Sequence, residues 1–273
     1  MNSTAAHSTA APIVHGTDAL PQGSTGRRGL SARYLLIELR RLARNPATVI
    51  FTVVMPIAFY LIFGAGRSYA GERLAHGTVG GAIMVNMALY GAITAATIGG
   101  ALVALERTLG WSRQLQITPL RAGTYILTKV LVALTLSALA VAAVFVTGRV
   151  SGAVLDGGTW AAAAAAIWLG SALFAAYGLA FGYLVPGGNG MSIAGPLLAL
   201  LAFPGGLFGP LTAGSFLEVF GRFTPMRGLA QIVASLVTGE STPWWAPVNA
   251  VAWTLAFAAL ALWGFRRDTA RMG

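Results

Sequence analysis

Six stretches of about twenty residues carry almost no charge, and they limit this chain more than any motif does. They run at about 47–66, 79–104, 127–148, 160–185, 191–212 and 245–265. A helix needs roughly 20 apolar residues to cross the hydrocarbon of a bilayer. No charged residue lies well inside any of the six; Lys129 stands near the edge of the third. Pro56 and Pro196 fall within spans, where local backbone adjustment tolerates proline. The whole chain is 56% hydrophobic and 10% charged, against roughly 25% charged in soluble domains. There is too little polar surface to cover a water-soluble globule. The expected class is an all-α integral membrane protein with six transmembrane helices.

The ends differ from the middle. Residues 1–29 are rich in Ser, Thr, Ala, Gly and Pro with no apolar period, and read as a disordered tail. They lack the charged start and apolar run of a signal peptide. The transmembrane domain is expected over 30–273. It opens with "LSARYLLIELRRLARNP", in which Arg33, Arg40 and Arg44 share one helical stripe and Leu35, Leu39 and Leu42 the opposite one. That pattern predicts an amphipathic helix lying in the membrane interface. Between spans five and six, Phe216, Val219, Phe220 and Phe223 form one apolar set and Leu229, Ile232, Val233 and Leu236 another. Two short helices dipping into the outer leaflet are expected there.

Six spans put both termini on one side. If that side is cytoplasmic, thirteen of the eighteen basic residues lie inside and five outside: Arg67, Arg73, Arg149, Arg222 and Arg227. Basic residues accumulate in cytoplasmic loops, so N-in/C-in is preferred. The formal charge of +10 is then a mark of orientation rather than of nucleic-acid binding. Abundant Ala, Gly, Val and Arg beside a single lysine fit a GC-rich bacterial genome, and a bacterial cytoplasmic (inner) membrane.

Several chemistries are excluded by what is missing. There is no cysteine, hence no disulfide, thiolate nucleophile or Cys metal site. No G-x-x-x-x-G-K-[ST] phosphate loop occurs; "PGGNGMS" at 186–192 has the glycines without the lysine and reads as a turn. Two histidines lie in the tail, and His76 stands in an outer loop with Glu72. The eight acidic residues are scattered, with no metal cluster or carboxylate pair evident. The deepest polar candidates in the spans are Asn86 and Asn249, for which hydrogen bonding between helices is the plain reading. Gly91, Ala95 and Gly99 in span two, and Gly178 and Gly182 in span four, fit close helix packing within a subunit or across a dimer. A chain with neither coupling groups in its spans nor a nucleotide site must draw its work from another subunit.

The polar stretch "ERTLGWSRQLQITPLRAG" (106–123) interrupts two apolar spans. It reads as a short helix-compatible segment broken at Thr118-Pro119, an elbow that a soluble motor could grip. Three stretches together resemble the membrane subunits of type-2 ABC exporters, the ABC-2 permeases, including the drug-resistance branch. They are "RNPATVIFTVVMPIAFYLIFG" (44–64), "LERTLGWSRQLQITPLRAGTYILTK" (105–129) and "PGGLFGPLTAGSFLEVFGRFTPMRGLAQIV" (204–233). One departure is "ERTLGW", where the family pattern carries a second acidic residue near Glu106.

The resemblance implies a permease that pairs with itself or a sister permease and docks two separate ATP-binding subunits. ATP and Mg would sit on those partners, with no cofactor on this chain and no nucleic acid. Glu106, Arg107, Arg113, Gln114, Leu115, Thr118, Pro119 and Leu120 would couple to the ATPase. The Arg33/Arg40/Arg44 helix would lie beside them in the lipid interface. Asn86, Phe203 and Phe208 would line the path of an amphipathic or hydrophobic substrate, drug or lipid-like, moving outward. This chain would be a transport subunit and not itself an enzyme. Two alternatives remain open: an ion-gradient-driven secondary transporter or channel, and a membrane anchor recruiting a soluble enzyme.

Overall fold

A computed structural model describes residues 32–108 and 122–270. An amphipathic helix, α1 (Ala32–Ala43), leads to a sharp bend. Asn45 then caps the next helix, its Oδ1 accepting from the amides of Ala47 (3.0 Å) and Thr48 (3.3 Å), with Pro46 in the first turn. "RNP" is thus a helix start signal with a physical cause. Helix α2 (Pro46–Phe63) widens to π geometry over Ile50–Val54. Pro56 has no amide to give to the Thr52 carbonyl four residues back, and the wide turn absorbs the mismatch. That carbonyl packs against Gly91.

A two-residue hairpin follows, β1 (Arg73–Leu74) with β2 (Gly77–Thr78), antiparallel with Arg73 opposite Thr78. Then come the long helices α3 (Val79–Thr108), α4 (Ala122–Val150) and α5 (Gly157–Leu184), the shorter α6 (Gly190–Gly205), α7 (Phe216–Gly221) and α8 (Pro225–Thr238), and finally α9 (Trp245–Ala270). α3 is the hub. It packs on α2, α4, α5, α6 and α8, and its buried face runs from Gly80 to Glu106. Its small residues close contacts within the chain: Gly99 lies on Ala133 of α4, and Gly100 on the Ala175 carbonyl of α5. Gly178 of α5 returns the contact against the Thr97 carbonyl.

The bundle has an elbow end, where α3 stops and α4 starts, and a hairpin end. At the hairpin end, His76 N–H donates to Val237 O and Asp156 N–H to His76 O, both at 3.0 Å. His76 also faces Asp156 at 3.5 Å. These bonds tie the hairpin to the tip of α8 and to the α4–α5 turn.

Among the described residues, five helices are long and apolar enough to span a membrane: Pro46–Phe63, Val79–Thr108, Ile126–Val150, Gly157–Leu184 and Trp245–Asp268. The fifth expected segment, 191–212, differs. Its helix α6 has 16 residues, about 24 Å at 1.5 Å per residue. Pro204 lies in its last turn, and Gly206 at φ 77° turns the chain into the left-handed region and ends it. The two helices expected next are present as α7 and α8, but their apolar faces part company. Phe216 and Phe223 are exposed, whereas Leu229 and Val233 are buried, Leu229 against Gly170 of α5.

A methyl group on Gly178 would stand 2.3 Å from the Thr97 carbonyl. Gly178→Ala should therefore lower the melting temperature of the purified protein, at a cost of about 1–3 kcal/mol. Gly158→Ala, where nothing lies within 4 Å, should leave it unchanged. Equal melting of the two variants would exclude the α3–α5 crossing as a tight contact.

Candidate coupling site at the elbow end

The last turn of α3 carries Glu106 and Arg107, which a helix turns about 100° apart. They therefore reach different neighbours. Glu106 is buried and takes a hydrogen bond from Lys129 of α4. The Lys129 ammonium, fully buried, also donates to Glu38 Oε1 of α1 at 3.0 Å. One lysine thus joins three helices. In an environment of low dielectric such a charge persists only with partners of opposite sign.

Arg107 faces α5 and α9. Its Nε donates to Asp268 Oδ2 (2.9 Å) and Nη2 to Oδ1 (2.6 Å), a bidentate fork. Nη1 donates to the carbonyls of Gly182 (3.0 Å) and Tyr183 (2.9 Å). These belong to the C-terminal turn of α5, where carbonyls have no helical donor and the helix dipole favours a cation. The guanidinium also lies 5.7 Å from the centre of the Tyr183 ring. A cavity of about 150 Å³ opens here, bordered by Arg107, Tyr183, Trp263 and Arg267. Two neighbouring residues so connect α1, α4, α5 and α9 to the end of α3. A force applied where the chain leaves α3 reaches all of them.

Of the residues singled out in the sequence, Arg113, Gln114, Leu115, Thr118, Pro119 and Leu120 lie outside the described residues. Arg33 falls in α1, and Arg40 and Arg44 are exposed, while Leu42 packs against Val132 and Leu136 of α4. Glu106 and Arg107 have the partners within the chain just given. Phe203 and Phe208, at the end of α6, join Phe59 of α2 and Tyr90 of α3 in one aromatic cluster. Phe208 lies 5.0 Å from Phe203, and 5.7 Å from both Phe59 and Tyr90. Asn86 stands one helical turn before Tyr90 and is half-buried, as are Tyr90 and Thr94. At spacings of four residues the three form a neutral polar stripe along α3, and Tyr90 among them meets Phe59 of α2 and Phe208 just past α6. Asn249 has the plain role expected of it: its Nδ2 donates to Arg222 O at 2.8 Å.

Glu38, Lys129 and Asp268 were missed as site residues. Signals existed. Glu38 is the one acid in a run of arginines, Asp268 the one acid in the basic C-terminus, and Lys129 the only lysine. Among the described residues no group of three His, Cys, Asp or Glu side chains could hold a metal.

Residues 34–238 match the profile of a family described as "ABC-2 type transporter". A protein of Bacillus subtilis (strain 168) named "Putative transport permease YvfS" is 24% identical over 243 residues, covering 86% of this chain and 96% of that protein.

Lys129→Met would leave two buried carboxylates facing one another. It should cost about 3–5 kcal/mol of stability, as removal of one partner from a buried ion set does. Asp268→Asn, in a pair whose side chains are 27% and 21% exposed, should cost about 1 kcal/mol or less. Denaturation of both variants in detergent measures the difference, and similar losses would remove the buried lysine as the stronger brace.

Proposed function

The chain belongs to the ABC-2 type transporter family, as a multi-pass membrane permease that works with a separate ATP-binding subunit, and on that premise we propose that it exports an amphipathic or hydrophobic substrate. The observation that carries the reading is the elbow-end frame. Glu106 and Arg107 tie four other helices to α3 immediately before the 109–121 segment. A motor gripping that segment moves a braced unit rather than a loose loop. In this proposal Arg113, Gln114, Leu115, Thr118, Pro119 and Leu120 seat in a groove of the ATPase, and α1 lies beside them with Arg40 and Arg44 toward lipid phosphates. ATP and Mg belong to the partner.

The direction is outward. The basic bias supports cytoplasmic termini, which puts the elbow with the motor and the hairpin end outside. The substrate moves along the Asn86–Tyr90–Thr94 stripe, past Phe59, Phe203 and Phe208. That surface offers rings and neutral hydrogen-bonding groups, which suits a drug-like or lipid-like molecule. α6 with α7 and α8 completes the fifth crossing, with α7 re-entering the outer leaflet. The exposed apolar faces of α2 and α6, including Phe51, Val54, Leu197 and Phe203, would be covered by a second copy or a sister permease.

Tagged permease, co-expressed with a candidate ABC ATP-binding protein and purified in mild detergent, should carry ATPase activity. Arg113→Glu with Leu115→Asp should abolish co-purification while membrane insertion stays intact. A double variant that still binds the ATPase and transports would overturn the elbow assignment. Wild-type permease that elutes alone and transports on an ion gradient would favour the secondary-transporter reading.

A further inference from the structure

The segment joining α6 to α9 carries two arginines that the transport reading does not use. α7 is amphipathic at its own scale. Ser215 caps it, its Oγ accepting from Glu218 N–H at 3.2 Å. Phe216 and Phe220 stack on one face, with ring centres 5.7 Å apart, and Phe223 follows on the same side. Phe216, Phe223 and the nearby Trp244 are 80%, 74% and 79% exposed. Aromatic rings so exposed in a membrane protein are wetted by lipid or cover a partner.

The opposite face holds the charge. Arg222 Nε donates to Glu218 Oε1 at 2.7 Å, and its guanidinium lies 5.8 Å from the Trp245 ring centre. Its two terminal nitrogens make no hydrogen bond among the described residues. Arg227 follows in the first turn of α8. Its Nη1 reaches only the Gly205 carbonyl, at a long 3.4 Å, and its Nε is buried with no partner. Thr224, the residue before that turn, does not cap it with its side chain; its Oγ1 donates instead to Gly221 O. Donors without a full set of partners therefore lie within one short stretch, Arg222 to Arg227: two guanidinium groups and the first amides of a 14-residue helix, whose N-terminus favours an anion. Glu218 offsets one of the two positive charges and leaves the site cationic.

We propose that Arg222 and Arg227 hold the phosphate of a bilayer phospholipid whose acyl chains lie against Phe216, Phe220 and Phe223. The chemistry of the two faces selects this occupant. Rings on one side and unpaired cationic donors on the other match a molecule with an apolar body and an anionic head. The lipid fixes α7 at the membrane surface and supplies an anion to the half-buried Arg227, whose Nε has no partner. The proposal rests on the transport reading only for the leaflet concerned, which that reading makes the outer one.

The test uses the full-length permease alone in detergent, so it is independent of ATPase docking. Binding of dioctanoyl phosphatidylglycerol, dioctanoylglycerol and inorganic phosphate is read by native mass spectrometry and by the shift in melting temperature. The phospholipid should bind and raise the melting temperature; the diacylglycerol, lacking phosphate, should not. Arg222→Gln with Arg227→Gln should weaken phospholipid binding by about tenfold or more, as loss of charge-assisted hydrogen bonds does. Arg149→Gln, another outer arginine, should leave it unchanged. Arg227→Lys keeps the charge in place and should retain intermediate binding, which separates loss of the site from loss of the fold. Equal binding of both dioctanoyl lipids, or full binding by the double Gln variant, would overturn the proposal. So would inorganic phosphate alone giving the same shift, since that describes a free-anion site.

Discussion

Everything in this bundle depends on how closely α3 and α5 cross. Gly100 and Gly178 bring one backbone against the other, each facing a carbonyl of the opposing helix. In lipid no hydrophobic force drives helices together, so close packing of small residues must do it. The crossing makes α3 the axis on which α2, α4, α6 and α8 are arranged. It also fixes the depth of Glu106 and Arg107, which come less than two turns after Gly100 and meet their partners only at that depth. α9 joins through α5, with Gly264 against Tyr183 and Asp268 on Arg107.

Electrostatics then decides what each end of the bundle can be. The spans contain no charge that is not near an end, and the charges turned into the bundle at the elbow end form closed sets. Lys129 has two carboxylates, and Arg107 has a carboxylate and two carbonyls. Such sets add little net stability over apolar packing, but their geometry is specific, because a misplaced partner leaves a buried charge alone. The hairpin end is held differently, by backbone bonds between His76, Val237 and Asp156. One end is suited to transmitting displacement, the other to keeping its shape.

Much of this was legible in the sequence, and the rest was hidden for identifiable reasons. Long uncharged runs gave five helices of spanning length outright because apolar length alone determines them. The start of α2 could be read because Asn45 and Pro46 act locally. The fifth segment forms a shorter helix than its apolar run of 191–212, because Gly206 in the left-handed region ends it after Gly205. Both apolar sets after it looked alike, yet Leu229 has the notch of Gly170 to fill and Phe216 has none. The coupling frame was half visible. Glu106 and Arg107 stood out as polar residues at a span's end, but their partners at Glu38, Lys129 and Asp268 lie far along the chain, and only the fold brings them together.

The irregular helices lie where the proposed path needs them. α3 and α5 are regular and locked to each other, so they move as one body. The two helices on either side of Tyr90 are not regular: α2 has its π turn before Pro56, and α6 carries Pro196 and Pro204 within it. A displaced ladder of hydrogen bonds yields more easily than an intact one. In the proposed reading, a push at the elbow is carried without loss along the α3–α5 pair and is taken up by α2 and α6. Phe59 on the one and Phe203 on the other would then separate across Tyr90. The site of yielding and the aromatic surface coincide because the proline that opens the α2 ladder lies three residues before Phe59, and the one in the last turn of α6 comes directly after Phe203.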